Sequence, residues 1–203
     1  MLENRDYTLI IDRSGSMSTL DQAEGNSRWA VVQECTLALA RQCEEFDLDG
    51  LTVYLFSHRF KRYTNITSSK VAQIFHFPEN EPQGSSNLSS VLQDAINNYF
   101  QRKAAGQTKA NGETIIVITD GEPNDRMGVT QVIVDASRQM ERDEELAISF
   151  IQVGSDPKVT RFLKALDDEL QGIGAKFDIV DTITSEDMED MTLTEVLLNA
   201  IVD

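Results

Sequence analysis

Three short stretches of the sequence carry oxygen donors in a pattern suited to a hard cation. Asp12-Arg13-Ser14-Gly15-Ser16 follows directly on an apolar run, Ser85-Ser86-Asn87 precedes a helical stretch, and Thr119-Asp120-Gly121 closes a second apolar run. Two carboxylates that face closely repel, and one pKa rises unless a cation or proton intervenes. Asp12 and Asp120, with hydroxyls from Ser14, Ser16 and Ser86, form a donor set of oxygen alone. Such a set favours Mg²⁺, Ca²⁺ or Mn²⁺ over Zn²⁺ or Cu²⁺. Six-coordinate Mg²⁺ then keeps a position for an incoming oxygen, and an acidic side chain of another protein is the ligand it welcomes most.

These residues meet only if the two apolar runs are neighbours. β-Branched runs at 7–12, 51–57, 114–119, 147–153 and 177–180 alternate with stretches of helical period. That alternation predicts an α/β fold, a doubly wound, mostly parallel sheet covered by helices on both faces. Apolar stripes mark the helices: Val32, Cys35, Leu39, Cys43 and Phe46; Leu88, Val91, Leu92, Ala95, Ile96, Tyr99 and Phe100. Further stripes run through Val129, Val132, Ile133, Ala136 and Met140, through Val159, Phe162, Leu163, Leu166 and Leu170, and through Leu193, Val196, Leu197, Ala200 and Ile201. A weaker helix falls at 69–75. Three residues separate 51–57 from a candidate strand at 61–64, too few for a parallel crossover, so that strand is predicted antiparallel. Arg59, Lys61 and Arg62 would protect it as an edge. In open α/β sheets ligands sit beyond the carboxyl ends of the strands, where strand order reverses. With 7–12 central and 114–119 beside it, Asp12 and Asp120 face each other there.

Composition narrows the partners. The chain has 203 residues, 40% of them hydrophobic, enough for one sizeable core and a single domain over 1–203. Eighteen Lys+Arg against 34 Asp+Glu give a net charge of −16, which argues against nucleic acid or an anionic membrane surface. Glu3, Arg5 and Asp6 leave no signal-peptide core at the start, and no run of about 18 apolar residues occurs, so a soluble, cytoplasmic chain is expected. Cys35 and Cys43 sit eight residues apart on one predicted helix, ~12 Å between Cα atoms, and read as reduced core thiols. Residues 181–203 hold seven acids and no Lys or Arg, as an amphipathic final helix with a solvated face would.

Asp12-x-Ser14-x-Ser16 after an apolar strand, Gly84-Ser85-Ser86-Asn87-Leu88 before a helix, and Ile116-Val117-Ile118-Thr119-Asp120-Gly121 together resemble the metal-ion-dependent adhesion site of von Willebrand factor type A domains. The likeness runs in the right order over essentially the whole chain. It implies a Rossmann-like three-layer sandwich, its six-stranded sheet in the order 3-2-1-4-5-6 with one short antiparallel edge strand. It also implies Ser14, Ser16 and a loop hydroxyl as ligands of a divalent ion, Mg²⁺ foremost, with Asp12 and Asp120 bound directly or through water. The implied role is non-enzymatic: binding of a protein partner that supplies an Asp or Glu to the metal. The family's loop ligand is usually Thr, whereas Ser86 keeps the hydroxyl and loses the methyl that limits its rotamers. The other reading of Ser86 is a cap for the helix from Leu88, and Ser85 or Asn87 competes for either role. Intracellular bacterial members, which this chain resembles, often work beside AAA-type ATPases, kinases or stress-response operon products, including tellurite-resistance clusters.

Two other readings fit some of the same residues. Asp12-Arg13-Ser14-Gly15-Ser16 is similar to the nucleophile motif of haloacid-dehalogenase-like phosphotransferases, with Asp12 attacking a phosphoryl group beside Mg²⁺. Residues 119–125 then stand for that family's metal motif with one residue too many. Ser14 occupies the place of a second Asp, and Lys103 and Lys109 are the nearest upstream candidates for a phosphate anchor. The second is a structural domain with an unoccupied site, in which Glu122 and Asp125 are solvated turn residues and Arg13 is a surface charge. GxSxG and Walker motifs are absent, Asp47-Leu48-Asp49-Gly50 lacks the rest of a calcium loop, and His58 and His76 read as surface histidines.

Overall fold

The computed structural model describes residues 2–184 and Asp187. Six strands form one sheet in the order β3-β2-β1-β4-β5-β6. They are β1 (Asp6–Asp12), β2 (Leu51–Phe56), β3 (Phe60–Ile66), β4 (Glu113–Thr119), β5 (Leu146–Gln152) and β6 (Val180–Ile183). Every adjacent pair is parallel except β2 with β3, the short hairpin whose connection allows no crossover.

The near-continuous apolar runs of β1, β4 and β5 follow from cover on both faces. Leu9, Ile11, Ile116 and Ile118 pack with α1 (Arg28–Phe46) and α2 (Ser68–Phe75). Ile10, Ile115, Val117 and Ile148 pack with α3 (Leu88–Ala104), α4 (Arg126–Gln139) and α5 (Pro157–Asp168). Helix starts obey local chemistry. Ser27 accepts from Ala30 N at 3.1 Å to cap α1, Asp125 accepts from Gly128 N at 2.8 Å to cap α4, and Asp156 caps α5 ahead of Pro157.

The last strand lies three residues beyond the predicted 177–180. Phe177 and Ile179 do join the core, but the ladder with β5 begins only at Ile148 opposite Val180. At the other edge, Arg62 of β3 pairs with Asp94 at 3.2 Å, and Lys61 reaches Asn80 Oδ1 at 3.3 Å. The predicted helix at 193–201 lies outside the described residues. Both cysteines are free, and burial pushes the Cys35 thiol up to about 11 and the Cys43 thiol further. Among the described residues, no helix is long and apolar enough to cross a membrane.

The amino ends of β1 and β4 are braced by charge. Arg5, 1% exposed, donates to Thr114 Oγ1 at 2.6 Å, to the Glu113 carbonyl at 2.9 Å and to the Glu144 carbonyl at 2.7 Å. Arg102 bridges Asp6, at 2.7 Å, and the buried Glu113, while Lys109 holds Asp47.

Candidate metal centre

The carboxyl ends of β1 and β4 lie side by side, with Ile11 opposite Ile118, so Asp12 stands beside Thr119 and Asp120 follows at the rim. From here α1 turns to one face of the sheet and α4 to the other. The departing chains leave a crevice between them.

Asp12 is fully buried at the floor of this crevice. Its Oδ1 accepts from the Ser14 backbone N–H at 2.7 Å, and its Oδ2 accepts from the Thr119 hydroxyl at 2.7 Å and the Ser86 hydroxyl at 3.4 Å. The Ser14 and Ser16 hydroxyls lie 3.0 Å apart, and Ser16 donates to Asp120 Oδ1 at 2.8 Å. Asp12, Ser14, Ser16, Ser86 and Asp120 thus come together in one cluster, with Ser14, Ser86 and Asp120 buried and Ser16 exposed at the mouth.

Backbone bonds hold the loops that carry these groups. Gly15 N donates to the Gly84 carbonyl at 3.0 Å and Gln83 N to the Arg13 carbonyl at 2.8 Å, which ties the β1 loop to the segment bearing Ser86. Asn124 N donates to the Ser86 carbonyl at 3.1 Å, tying in the β4 loop. The N-cap position of α3 belongs to Asn87, Ser85 is exposed, and the Ser86 hydroxyl is directed to Asp12. Arg13 is not a surface charge: it is 6% exposed and donates to the Glu81 carbonyl at 3.2 Å, because the 81–84 segment folds over it.

Burial raises the Asp12 carboxyl to about 6; hydrogen bonds from Thr119 and Ser14 oppose the rise and the charge of Asp120 adds to it. The second oxygen of Asp120, Oδ2, accepts from Arg28 Nη1 at 3.0 Å. Arg28 is also clamped by Asp21, whose carboxyl it holds down at about 2. The donor set fits a hard divalent cation: all its donor atoms are oxygens, and two of its groups are carboxyls. Among the described residues, no three His, Cys, Asp or Glu side chains gather as a metal cluster. Two carboxylates with hydroxyls are what this crevice assembles.

Other candidates fall elsewhere. Glu122 pairs with Arg126, and Asp125 caps α4. Lys103 pairs with Glu145 at 2.9 Å and Lys109 with Asp47, both at the braced amino ends of the strands. His76 is exposed at the end of α2, and His58 is exposed beside Gly84. Sequence reasoning missed two members of the site. Thr119 reads as an ordinary strand residue, and Arg28 as an ordinary helix residue whose partner lies 92 positions away.

Residues 7–122 match the family described as the von Willebrand factor type A domain. No curated protein matches the sequence. Similar solved structures include a mutant of the PilB minor pilin from Streptococcus sanguinis, at 14% identity and TM-score 0.65, over 96% of this chain and 60% of that one. The chain therefore spans about 60% of the pilin's length. BatB from Bacteroides thetaiotaomicron aligns at 17% identity and TM-score 0.59, over 97% of this chain and 98% of its own. Manganese-loaded TRAP protein from Plasmodium vivax aligns at 18% and 0.55, over 95% and 72%. The matched stretch exceeds half of the sequence and includes both Asp12 and Asp120, and on that ground the chain belongs to the von Willebrand factor type A domain family.

Proposed function

We propose that residues 1–203 form one non-enzymatic, metal-dependent protein-binding module, in which Asp12, Ser14, Ser16, Ser86 and Asp120 hold a divalent cation, Mg²⁺ first and Ca²⁺ or Mn²⁺ as alternatives. The observation that carries this reading is the hydrogen-bonded convergence of two buried carboxylates and three hydroxyls at the switch point of the sheet. When bound, the cation supplies an electrophilic position for a partner's Asp or Glu carboxylate. The chain's own residues do the rest. Asp12 anchors the floor, Thr119 and the Ser14 N–H fix its carboxylate plane, and exposed Ser16 marks the open side. The loops at 81–87 and 121–125 flank that opening and give the selectivity. Family membership supports a role in protein interaction, and the manganese in the TRAP neighbour is of the same cation class.

The phosphotransferase alternative loses support. Lys103 and Lys109 sit at the far end of the sheet, and Asp125 is engaged as a helix cap. In this reading the module works in the cytoplasm, as do the intracellular bacterial domains it resembles. The test is Mn²⁺ titration of the full chain followed by thermal denaturation, together with partner capture with and without EDTA. Mn²⁺ should raise the melting temperature of the wild type and not of Asp12→Ala, and capture should be lost with EDTA. Chelator-insensitive capture would refute the mechanism.

A further inference from the structure

Arg28 is placed where its own helix does not favour it. It is the first residue of α1, and a cation in the first turn opposes the positive end of the helix dipole. Its side chain is nonetheless only 15% exposed and fully engaged. Nη1 donates to Asp120 Oδ2 at 3.0 Å, and Nε lies 3.0 and 3.1 Å from the two oxygens of Asp21. The guanidinium also lies against the turn after β5. Gly154 there has φ +77°, and a Cβ on it would come within 3.1 Å of Arg28 Cζ. One side chain thus reaches the loops after β1, β4 and β5. Among the described residues, it is the cation bonded to the cluster, and it takes Oδ2 of Asp120 while Ser16 takes Oδ1.

We propose that Arg28 is the built-in counter-cation of this cluster: it stabilises Asp120 when no metal is bound, and by sharing that carboxylate it sets the affinity for a divalent ion lower than the oxygen ligands alone would give. The proposal rests on the metal-binding reading above. Asp120 adds a negative charge to the cluster, and the guanidinium, which Asp21 also holds, offsets part of it before any metal arrives. A dication entering beside Arg28 meets both the reduced attraction and the like charge. An orienting clamp would act in the opposite sense, because losing it would weaken metal binding.

The experiment compares wild type, Arg28→Gln and Arg28→Lys in the full chain, with Mn²⁺ as the probe. In EDTA, Arg28→Gln should lower the melting temperature by several degrees, and the loss should shrink when Asp120→Asn is also present, since the charge being neutralised is then gone. In a Mn²⁺ titration followed by the electron paramagnetic resonance signal of the free ion, Arg28→Gln should bind about tenfold more tightly than wild type. Arg28→Lys, which keeps the charge and loses the fork, should stay within about twofold of wild type. Equal or weaker Mn²⁺ binding by Arg28→Gln, with wild type binding normally, overturns the proposal and leaves the metal reading standing. Absence of Mn²⁺ binding by wild type overturns both, and is told apart by the wild-type titration alone. An undiminished loss in the Asp120→Asn background also overturns the counter-cation role.

Discussion

The Thr119 hydroxyl donates to Asp12 Oδ2 at 2.7 Å, across the two strands between which the winding of the sheet reverses. The bond joins the floor of the crevice to the strand that delivers Asp120, so the two carboxylates are set relative to one another by the sheet itself. Replacing Thr119 by Val keeps the shape and removes the donor. A buried carboxylate short of one bond costs about 1–3 kcal/mol. Urea denaturation of metal-free Thr119→Val should show a loss of that size with an unchanged m-value.

A second outcome concerns pH. The native Asp12 carboxyl titrates near 6, above its ordinary unfolded value of about 3.9. The native state therefore holds the extra proton between these values. This group's contribution falls as pH rises from about 4 to about 6 and is flat beyond, by about 3 kcal/mol at most. Asp12→Asn removes the titration. In metal-free protein the stability of Asp12→Asn relative to wild type should therefore improve from pH 4 to pH 7, and apparent Mn²⁺ affinity of wild type should rise through pH 6 as the competing proton leaves. A gap between the two proteins that stays constant with pH would contradict the buried titration.

Gly84 supplies the third. Its φ is +78°, and a Cβ there would lie 2.8 Å from His58 Nδ1. Its carbonyl also receives the Gly15 N–H, so the residue joins the Ser86 segment to the β1 loop. Gly84→Ala should cost ~1–3 kcal/mol and weaken Mn²⁺ binding by displacing Ser86. Adding His58→Ala relieves the contact but not the backbone conformation, so melting temperatures should show partial rescue only.

Buried thiols give the fourth. Cys43 has no exposed surface, and burial holds its thiol protonated far above neutral pH. Titration with a chromogenic disulfide reagent should leave Cys43 unmodified in the native protein and modify it in guanidinium chloride.

Much of this architecture can be read from letters because it depends on local periodicity. The stripes of α1, α3, α4 and α5 and the apolar cores of β1, β4 and β5 each bury a face that the spacing announces. The last strand departs from the expected 177–180 for the same reason. Phe177 and Ile179 are apolar because they touch the core, while the ladder needs backbone alignment with Ile148–Ile151, which no side chain encodes. The Ser86 alternative separates only in three dimensions, where Asn87 stands at the N-cap position and the serine hydroxyl is directed to Asp12. Arg28 had no local signature, since its partner lies far off in sequence and its helix position is electrostatically unfavourable.

The ionic bracing by Arg5, Arg102 and Lys109 lies at the ends of β1 and β4 opposite to Asp12 and Asp120. The molecule is accordingly a chassis with its keel at one pole and its working head at the other. On the proposed binding reading, exchanging the exposed side chains of Glu81, Gln83, Ser85 and Asn124 would redirect what docks at the head while Gly84, Ser86 and the keel stay untouched.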